Sequence, residues 1–207
     1  MLYPLRIILD FIFPPTIHER VLRQVTPLRF ENFYQPHTHH SITCLSSYHI
    51  PTIQAAIAAC KFEHNFYAAK LLGVLVATHL KTLPTKKTLI IPIPLSLKRE
   101  REWGFNQVAR VLTYIKTSNY NATIHAHILT RSRHTKPQTS LNRIMREKNV
   151  EQAFSCTPKY IHLLSQYERI ILCDDVCTTG STLMAAREVL LPHLPSTTEV
   201  SLLAWAH

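Results

Sequence analysis

The sequence predicts an α/β fold in which a mainly parallel sheet is flanked by helices. Three short apolar runs rich in β-branched residues stop at turn-forming residues, which is typical of buried strands. These runs are Leu89–Ile93, Ile170–Cys173 and Val200–Ala204. Stretches with helical periodicity lie between the runs, and strands that alternate with helices indicate parallel pairing.

Length and composition fit one folded core. The chain has 207 residues, of which 46% are hydrophobic and 17% are charged, as is ordinary for a globular protein. Its net charge of +10 favours anionic partners, either phosphorylated metabolites or nucleic acid, without choosing between them. The basic residues are scattered, so no nucleic-acid-binding arm is indicated.

Cysteine count and hydropathy exclude two classes of protein. Five cysteines at irregular spacing do not form a disulfide framework, which favours a reducing compartment. The apolar stretch Leu2–Phe13 contains Arg6 and Asp10 and is too short to span a bilayer. We therefore expect a cytoplasmic protein with no membrane insertion.

The first 47 residues have the weakest patterns, and we expect a small irregular extension there. Residues 5–13 fit a short amphipathic helix that ends at Pro14-Pro15. Residues 26–43 are polar, with His37, His39 and His40 close together. No Cys-x-x-Cys accompanies these histidines, so a solvated loop is favoured over a metal site.

Helical periodicity begins at Pro51. Asn65 is predicted to cap a second, longer helix. Lys61 stands at the junction, where two interpretations are open: a cation that favours a helix C-terminus, or a residue of a functional site. The apolar face of the first helix consists of Ile53, Ala56, Ile57 and Cys60.

A basic segment follows the strand Leu89–Ile93. Arg99 and Arg101 come just past its carboxyl end, which is where open α/β sheets bind ligands. Gly104 predicts a tight turn, and Asn106 is placed to cap a helix over Gln107–Lys116.

Thr123–Leu129 alternates and predicts a further strand, and a polar segment follows it. Basic side chains beside a phosphate-binding sheet indicate a mobile lid, although an ordinary exposed loop fits almost equally well. A helix is expected behind it, over Leu141–Val150. The candidates for contacts between lid and ligand are Arg131, Arg133, Lys136 and Gln138.

The main functional signal follows the strand Ile170–Cys173. Two acids, a hydroxyl-rich turn and the predicted helix Leu183–Leu190 come in that order. Free N–H groups at a helix N-terminus attract phosphate, and Gly180 permits a positive φ. Ser181 or Thr182 is the expected N-cap, and the two carboxylates can accept hydrogen bonds from sugar hydroxyls. The alternative is an acidic turn that only caps a helix.

The order of these features indicates a ribose 5-phosphate site, and the segment resembles the signature with which type I phosphoribosyltransferases bind phosphoribosyl pyrophosphate (PRPP). The residues assigned to this ligand are Asp174, Asp175, Val176, Cys177, Thr178, Thr179, Gly180, Ser181 and Thr182.

Two further segments resemble the ComF family, so that the likeness covers roughly residues 48 to 204. Ile91-Pro92-Ile93-Pro94 with Arg99 and Gly104-Phe105-Asn106-Gln107 is similar to its V-P-V-P…R-G-F-N-Q stretch. The second segment is similar to its P-Q-x-x-L-x-x-x-x-R-x-x-N-x-x-x-A-F stretch. The matching residues are Pro137, Gln138, Leu141, Arg146, Asn149, Ala153 and Phe154.

The resemblance implies a type I phosphoribosyltransferase-like domain over 48–207 and a role linked to DNA uptake in natural competence. If the protein is catalytic, it transfers ribose 5-phosphate with release of pyrophosphate, using Mg²⁺ bound mainly through PRPP rather than through protein ligands. The catalytic set would be Asp174, Asp175, Arg99 and Arg101. The rival interpretation is a non-catalytic accessory that binds single-stranded DNA or a competence protein.

Two departures from the family pattern matter. Members usually carry a four-cysteine zinc module after Phe-Pro-Pro; here Phe13-Pro14-Pro15 is present, but only Cys44 precedes residue 60. We therefore expect no zinc and a degenerate extension over 1–47. Trp103 stands where an arginine commonly precedes the Gly-Phe-Asn-Gln stretch, which leaves Arg99 and Arg101 as the cations there.

Overall fold

The structure is a computed structural model that describes residues 14–131 and 153–207, with the side chain of Leu97 left out. The predicted helices over 5–13 and 141–150 lie outside these ranges. The strands are β1 (His37–His39), β2 (Ile42–Ser46), β3 (Thr88–Pro92), β4 (Ala122–Ile124), β5 (Leu129–Arg131), β6 (Phe154–Cys156), β7 (Arg169–Val176) and β8 (Glu199–Ala206).

Two helices precede β1, and the others lie between strands. They are α1 (Ile17–Leu22), α2 (Pro27–Glu31), α3 (Pro51–Phe62), α4 (Phe66–Thr82), α5 (Leu97–Trp103), α6 (Gln107–Leu112), α7 (Ile161–Leu164) and α8 (Ser181–Leu190). Short 3₁₀ turns occupy Thr117–Tyr120, Pro158–Tyr160 and Leu191–His193. In the described part of the chain, no helix has both the length and the apolar character needed to cross a bilayer.

Six strands form the main sheet in the order β1-β2-β8-β7-β3-β4. All neighbours pair in parallel except β1, which runs antiparallel to β2 at one edge. A separate antiparallel pair joins β5 to β6. This α/β architecture confirms the predicted fold class.

The strand order places a switch point between β3 and β7. From β3 the chain passes through α5 and α6 to β4 on one side, whereas from β7 it passes through α8 to β8 on the other. Pro92 pairs with Cys173, so the carboxyl ends of both strands open at the same edge. A crevice at such a point is where open α/β sheets bind their ligands.

Helices cover both faces of the sheet and enclose two cores. The first core packs α3, α4 and α6 against one face, and includes Ile57, Leu72, Cys173 and Trp205. The second core packs α8 and the β5–β6 pair against the other face, and includes Ile42, Leu172 and Leu183. All five cysteines of the sequence are free thiols.

The predicted strands over residues 89–93, 170–173 and 200–204 are confirmed, with small shifts of their ends. The strand predicted over Thr123–Leu129 was wrong in extent, because two short strands, β4 and β5, lie there with a turn between them. Asn65 and Asn106 cap their helices as predicted, since each Oδ1 accepts a backbone N–H. The helix after Asn106 ends at Leu112, earlier than expected.

The irregular polar stretch predicted over 26–43 was wrong. Its residues form α2, β1 and the first residues of β2, joined by a tight turn in which His40 and Ser41 both have positive φ. β2 pairs with β8 inside the main sheet. The division of the chain at residue 47 stays a prediction, but the sheet draws strands from both sides of it.

Candidate functional site

The candidate site lies where β3 and β7 end, at the switch point of the sheet. β7 ends in Asp174, Asp175 and Val176, and a loop leads from there to α8. On the neighbouring strand, β3 leads to α5, which carries Arg99 and Arg101. The sheet therefore brings the two predicted segments to the same edge.

Asp175 is buried and bound by three donors. Its Oδ2 accepts a hydrogen bond from Nε2 of Gln107 at 2.7 Å, and forms an ion pair with Nζ of Lys61 at 2.8 Å. Its Oδ1 accepts the N–H of Val176 at 2.6 Å. A carboxylate has about four acceptor positions, so most of those of Asp175 are already occupied by the protein.

Asp174 differs from its neighbour. Its Oδ1 accepts the N–H of Asp175 at 2.8 Å, and no described residue donates to its Oδ2. Burial, followed by the charge of Asp175, raises the pKa of Asp174 to about 7, while the charges of Lys61 and Arg131 oppose the rise. Asp174 is therefore the member of the acid pair with acceptor capacity to spare.

The loop after β7 ends at a helix N-terminus with free amides. The helix begins at Ser181, so the expected N-cap at Ser181 or Thr182 was wrong; Gly180 holds that position without a side-chain cap. Met184 donates the first helical N–H, to Gly180. Ser181 N–H makes a weak bond of 3.4 Å to Oγ1 of Thr179, and within the described residues the amides of 182 and 183 have no acceptor.

Gly180 has φ +73, which confirms the predicted left-handed conformation. A Cβ at Gly180 would lie 2.5 Å from Cδ1 of Ile42, so the loop also packs closely against β2. Nε2 of His39 donates to the carbonyl of Thr178 at 3.2 Å, which ties β1 to the same loop.

Arg131 lies close enough to both Arg99 and Asp174 to interact with their charges. Burial lowers the pKa of the Arg131 guanidinium, the nearby charge of Arg99 lowers it further, and Asp174 acts in the opposite direction. Nε of Arg131 is buried without a hydrogen-bond partner among the described residues. Arg101 is exposed on α5, and no described contact joins it to the acid pair. Arg133, Lys136 and Gln138 lie outside the described residues.

The sequence singled out Gln107 only as part of a tetrapeptide, and left the role of Lys61 open. The structure places both against Asp175. The signal for Gln107 was its position at a helix start behind the Asn106 cap. The sequence around Lys61, at the end of an apolar helix, did not identify its partner, because Asp175 lies far along the chain.

An aromatic surface of partly or largely exposed rings flanks the acid pair. Phe62 and Phe66 are 67% and 62% exposed, and Phe62 meets the edge of Trp103 at 6.0 Å between ring centroids. Cζ of Arg110 lies 3.3 Å from the Phe105 centroid and 4.8 Å from that of Phe66. The aromatic surface therefore consists of Phe62, Phe66, Trp103 and Phe105, with Arg99 and Arg110 stacked on its rings.

The histidines near β1 are largely exposed, as expected, but they lie on a strand and the turn after it and pack on one another. The rings of His39 and His207 stack with centroids 3.5 Å apart, and His40 meets His39 at 4.1 Å. In residues 14–131 and 153–207, no group of three or more histidine, cysteine or acidic residues is arranged to hold a metal ion. The expected lack of zinc stays a prediction.

One cavity of about 390 Å³ lies away from the acid pair, beside α1 and α2. Its lining includes Arg20, Val25, Arg29 and Phe33 and none of the predicted site residues. The candidate site itself is an edge of the sheet rather than this cavity.

Several proteins of known name are similar to this chain, among them the following three. Competence protein F of Haemophilus influenzae is 30% identical over 155 residues, which cover 69% of this chain and 63% of the relative. Competence protein ComFC of Bacillus subtilis is 30% identical over 115 residues, covering 56% and 43%. DNA utilization protein YhgH of Escherichia coli O157:H7 is 28% identical over 157 residues, covering 72% and 66%.

The chain thus spans between 43% and 66% of the length of these relatives. It matches none of the protein-family models with which it was compared.

Proposed function

The chain belongs to the ComF family, and from that premise and the site at the ends of β3 and β7 we propose that it binds PRPP or another ribose 5-phosphate compound. The observation that carries the proposal is the order of features at the end of β7. Asp174 has an oxygen without a donor among the described residues, the loop that follows holds Gly180 in the left-handed region, and the amides of 182 and 183 at the start of α8 have no acceptor in that part of the chain.

Each feature suits one part of such a ligand. The free amides at the start of α8 suit the 5-phosphate, because a helix N-terminus favours an anion. Asp174 Oδ2 suits a ribose hydroxyl, since an ionised carboxylate is a strong acceptor. Arg99 and Arg131 suit a pyrophosphate group, because guanidinium groups bind phosphate oxygens in pairs of hydrogen bonds.

If the protein is a transferase, the bond between C1 of the ribose and pyrophosphate breaks through an oxocarbenium-like transition state. Pyrophosphate leaves with the bonding electrons, and a nucleophilic atom of the acceptor forms the new bond to C1. The chain contributes by holding the phosphate and the hydroxyls in place and by neutralising the leaving group with the two arginines. Mg²⁺ would arrive with the ligand and would supply further positive charge for the leaving group. No protein ligand for it is assigned.

Thermal shift with Mg-PRPP tests this proposal. Binding raises the melting temperature by mass action, and the Asp174→Asn, Asp175→Asn double variant is expected to lose that rise. Ribose 5-phosphate and pyrophosphate, added separately, show which part of the ligand is recognised. A double variant that responds like wild type would show that the ribose does not lie at the acid pair.

The second candidate function is binding of single-stranded DNA, and the aromatic surface favours it. Exposed rings interleaved with arginines give bases a stacking platform and phosphates a cationic neighbour. The relatives are named for competence and for DNA utilization, and we propose that this protein also acts in DNA uptake, in the cytoplasm, with single-stranded DNA or a competence protein as its partner.

Fluorescence anisotropy with a labelled oligothymidine tests the second function. Phe62→Ala and Phe66→Ala are each expected to weaken binding by about 1–3 kcal/mol, the usual contribution of one stacked base. Leu28→Ala is the matched control, since Leu28 is an apolar side chain on α2 that is also largely exposed, at 78%. Equal effects of Phe62→Ala and Leu28→Ala would rule out stacking on this surface.

A further inference from the structure

The two adjacent acids face opposite sides of the sheet. Successive side chains on a strand alternate between faces, and Leu172 packs in the second core while Cys173 packs in the first. Asp175 accordingly meets α3 and α6, which cover the first core. The two carboxylates therefore point in different directions and do not bind one ligand side by side.

The two acids also differ in how many groups of the protein they bind. Asp175 accepts from Lys61, Gln107 and the backbone of Val176, and is 9% exposed. Asp174 accepts one backbone bond and keeps Oδ2 without a donor among the described residues.

Resting on the function proposed above, we propose that the acids have separate tasks. Asp174 is the carboxylate that contacts the ligand's hydroxyls. Asp175 is a positioning residue, which Lys61 and Gln107 hold in place. Lys61 also serves as the counter-ion that lets Asp174 be ionised beside a second carboxylate at neutral pH.

The charges around Asp174 explain the task of Lys61. Asp175 opposes ionisation of Asp174, whereas Lys61 and Arg131 favour it. Among the described residues, the other titratable groups that interact with Asp174 are the thiols of Cys173 and Cys177, which are neutral. Removing Lys61 takes away one of the two cations that favour ionisation of Asp174 in this part of the chain, so ligand binding is expected to require a higher pH.

The contacts of Gln107 indicate that it positions the Asp175 carboxylate rather than that it stabilises the fold. Its Nε2 donates to Asp175 at 2.7 Å, but its Oε1 is buried with no partner among the described residues. A buried oxygen left without a donor destabilises the fold, which offsets the bond on the other side of the amide. What the amide does provide is a fixed direction for the Asp175 carboxylate.

The test is calorimetric titration of Mg-PRPP between pH 5.5 and 9. Asp174→Asn is expected to weaken binding by about 10- to 100-fold at pH 8 without lowering the melting temperature, because it removes a charge-assisted bond to the ligand. Asp175→Asn is expected to lower the melting temperature and to weaken binding less. Gln107→Leu should weaken binding with little loss of stability.

The pH profile separates positioning from mere stability. Lys61→Met is expected to move the midpoint of binding upwards by about one pH unit, and Lys61→Arg to restore it. Lys81→Met is the matched control, since Lys81 pairs with Glu31 at 3.3 Å and has no described contact with the acid pair. It should leave both midpoint and affinity unchanged.

Two results together overturn the proposal when wild type binds Mg-PRPP. These are that Asp175→Asn loses as much affinity as Asp174→Asn, and that Asp175→Asn keeps the melting temperature of wild type. An unmoved midpoint in Lys61→Met overturns the counter-ion role. Failure of wild type to bind either Mg-PRPP or ribose 5-phosphate refutes the proposed function instead. In that case, a double-mutant cycle of Lys61→Met and Asp175→Asn in urea unfolding still decides whether the two residues are coupled.

Discussion

Gly180→Ala tests how tightly the loop after β7 is built. The substitution adds a Cβ to a residue with φ +73, and the left-handed conformation costs a non-glycine residue about 1–2 kcal/mol. The new atom would also lie 2.5 Å from Cδ1 of Ile42, a side chain fully buried in the second core. Displacing a core side chain costs about 1–3 kcal/mol, so the total loss is expected to be about 2–5 kcal/mol.

The chain offers a matched control for the first of these two costs. Gly104 has φ +71, but a Cβ there meets nothing within 4 Å. Gly104→Ala is therefore expected to lose only the conformational cost of about 1–2 kcal/mol. Urea unfolding of the two variants measures both losses, and their difference isolates the contact with Ile42.

A second substitution checks the cause. Ile42→Val removes Cδ1 and alone is expected to cost about 0.5–1.5 kcal/mol. Combined with Gly180→Ala, it should cost less than the sum of the two single changes, because the close contact is gone. Equal losses for Gly180→Ala and Gly104→Ala, or strict additivity with Ile42→Val, would refute the packing argument.

Three further predictions concern charged side chains. Between about pH 4 and the Asp174 pKa of about 7, folded Asp174 holds a proton that the unfolded chain releases, so its contribution to stability falls as pH rises. Urea unfolding of wild type and Asp174→Asn measures this contribution, and the difference between their free energies of unfolding should change with pH only in that window. Arg131→Leu should weaken Mg-PRPP binding by about 1–3 kcal/mol while leaving ribose 5-phosphate binding nearly unchanged in the same titration. Arg169→Met should destabilise the fold by about 1–3 kcal/mol in urea, because it removes bonds of 2.9 Å to Pro84 O and 3.3 Å to Glu199; no measurable loss would contradict this.

Sequence patterns predicted the elements whose causes are local. Residues 170–173 of β7 form a continuous apolar run, as expected of a strand covered on both faces. Asn65 and Asn106 precede the helices that they cap, so the cap and the capped amides lie within three residues. The positive φ of Gly180 likewise follows from one residue in a short turn.

The edge of the sheet could not be predicted from its own residues. β1 consists of His-Thr-His and is mostly exposed, so it has no apolar alternation to mark it as a strand. β2 is held by its pairing with β8, near the other end of the chain. Partners so distant in sequence leave no local pattern, and the segment was mistaken for a loop.

The contacts of Asp175 were missed for a related reason. A lysine at a helix end and a glutamine at a helix start are each common on protein surfaces. Only the packing of α3 and α6 on the same face of the sheet brings Lys61 and Gln107 to one carboxylate. The acid pair itself was predicted, but the inequality of its two members depends on this packing.

The chemistry of the site also bears on how the two candidate functions relate. Asp174 has an acceptor oxygen without a donor among the described residues, and Arg131, itself near Arg99, interacts with its charge. A complementary ligand therefore carries hydroxyl donors together with anionic groups. A free ribose phosphate has both. Single-stranded DNA has the phosphates but lacks the 2′-hydroxyl, and so leaves no vicinal diol for the carboxylate. Exposed Phe62 and Phe66 do not require a sugar hydroxyl, since an aromatic ring can stack on any base. The two ligands therefore suit different surfaces, and loss of DNA binding in Phe62→Ala with intact Mg-PRPP binding is the expected consequence.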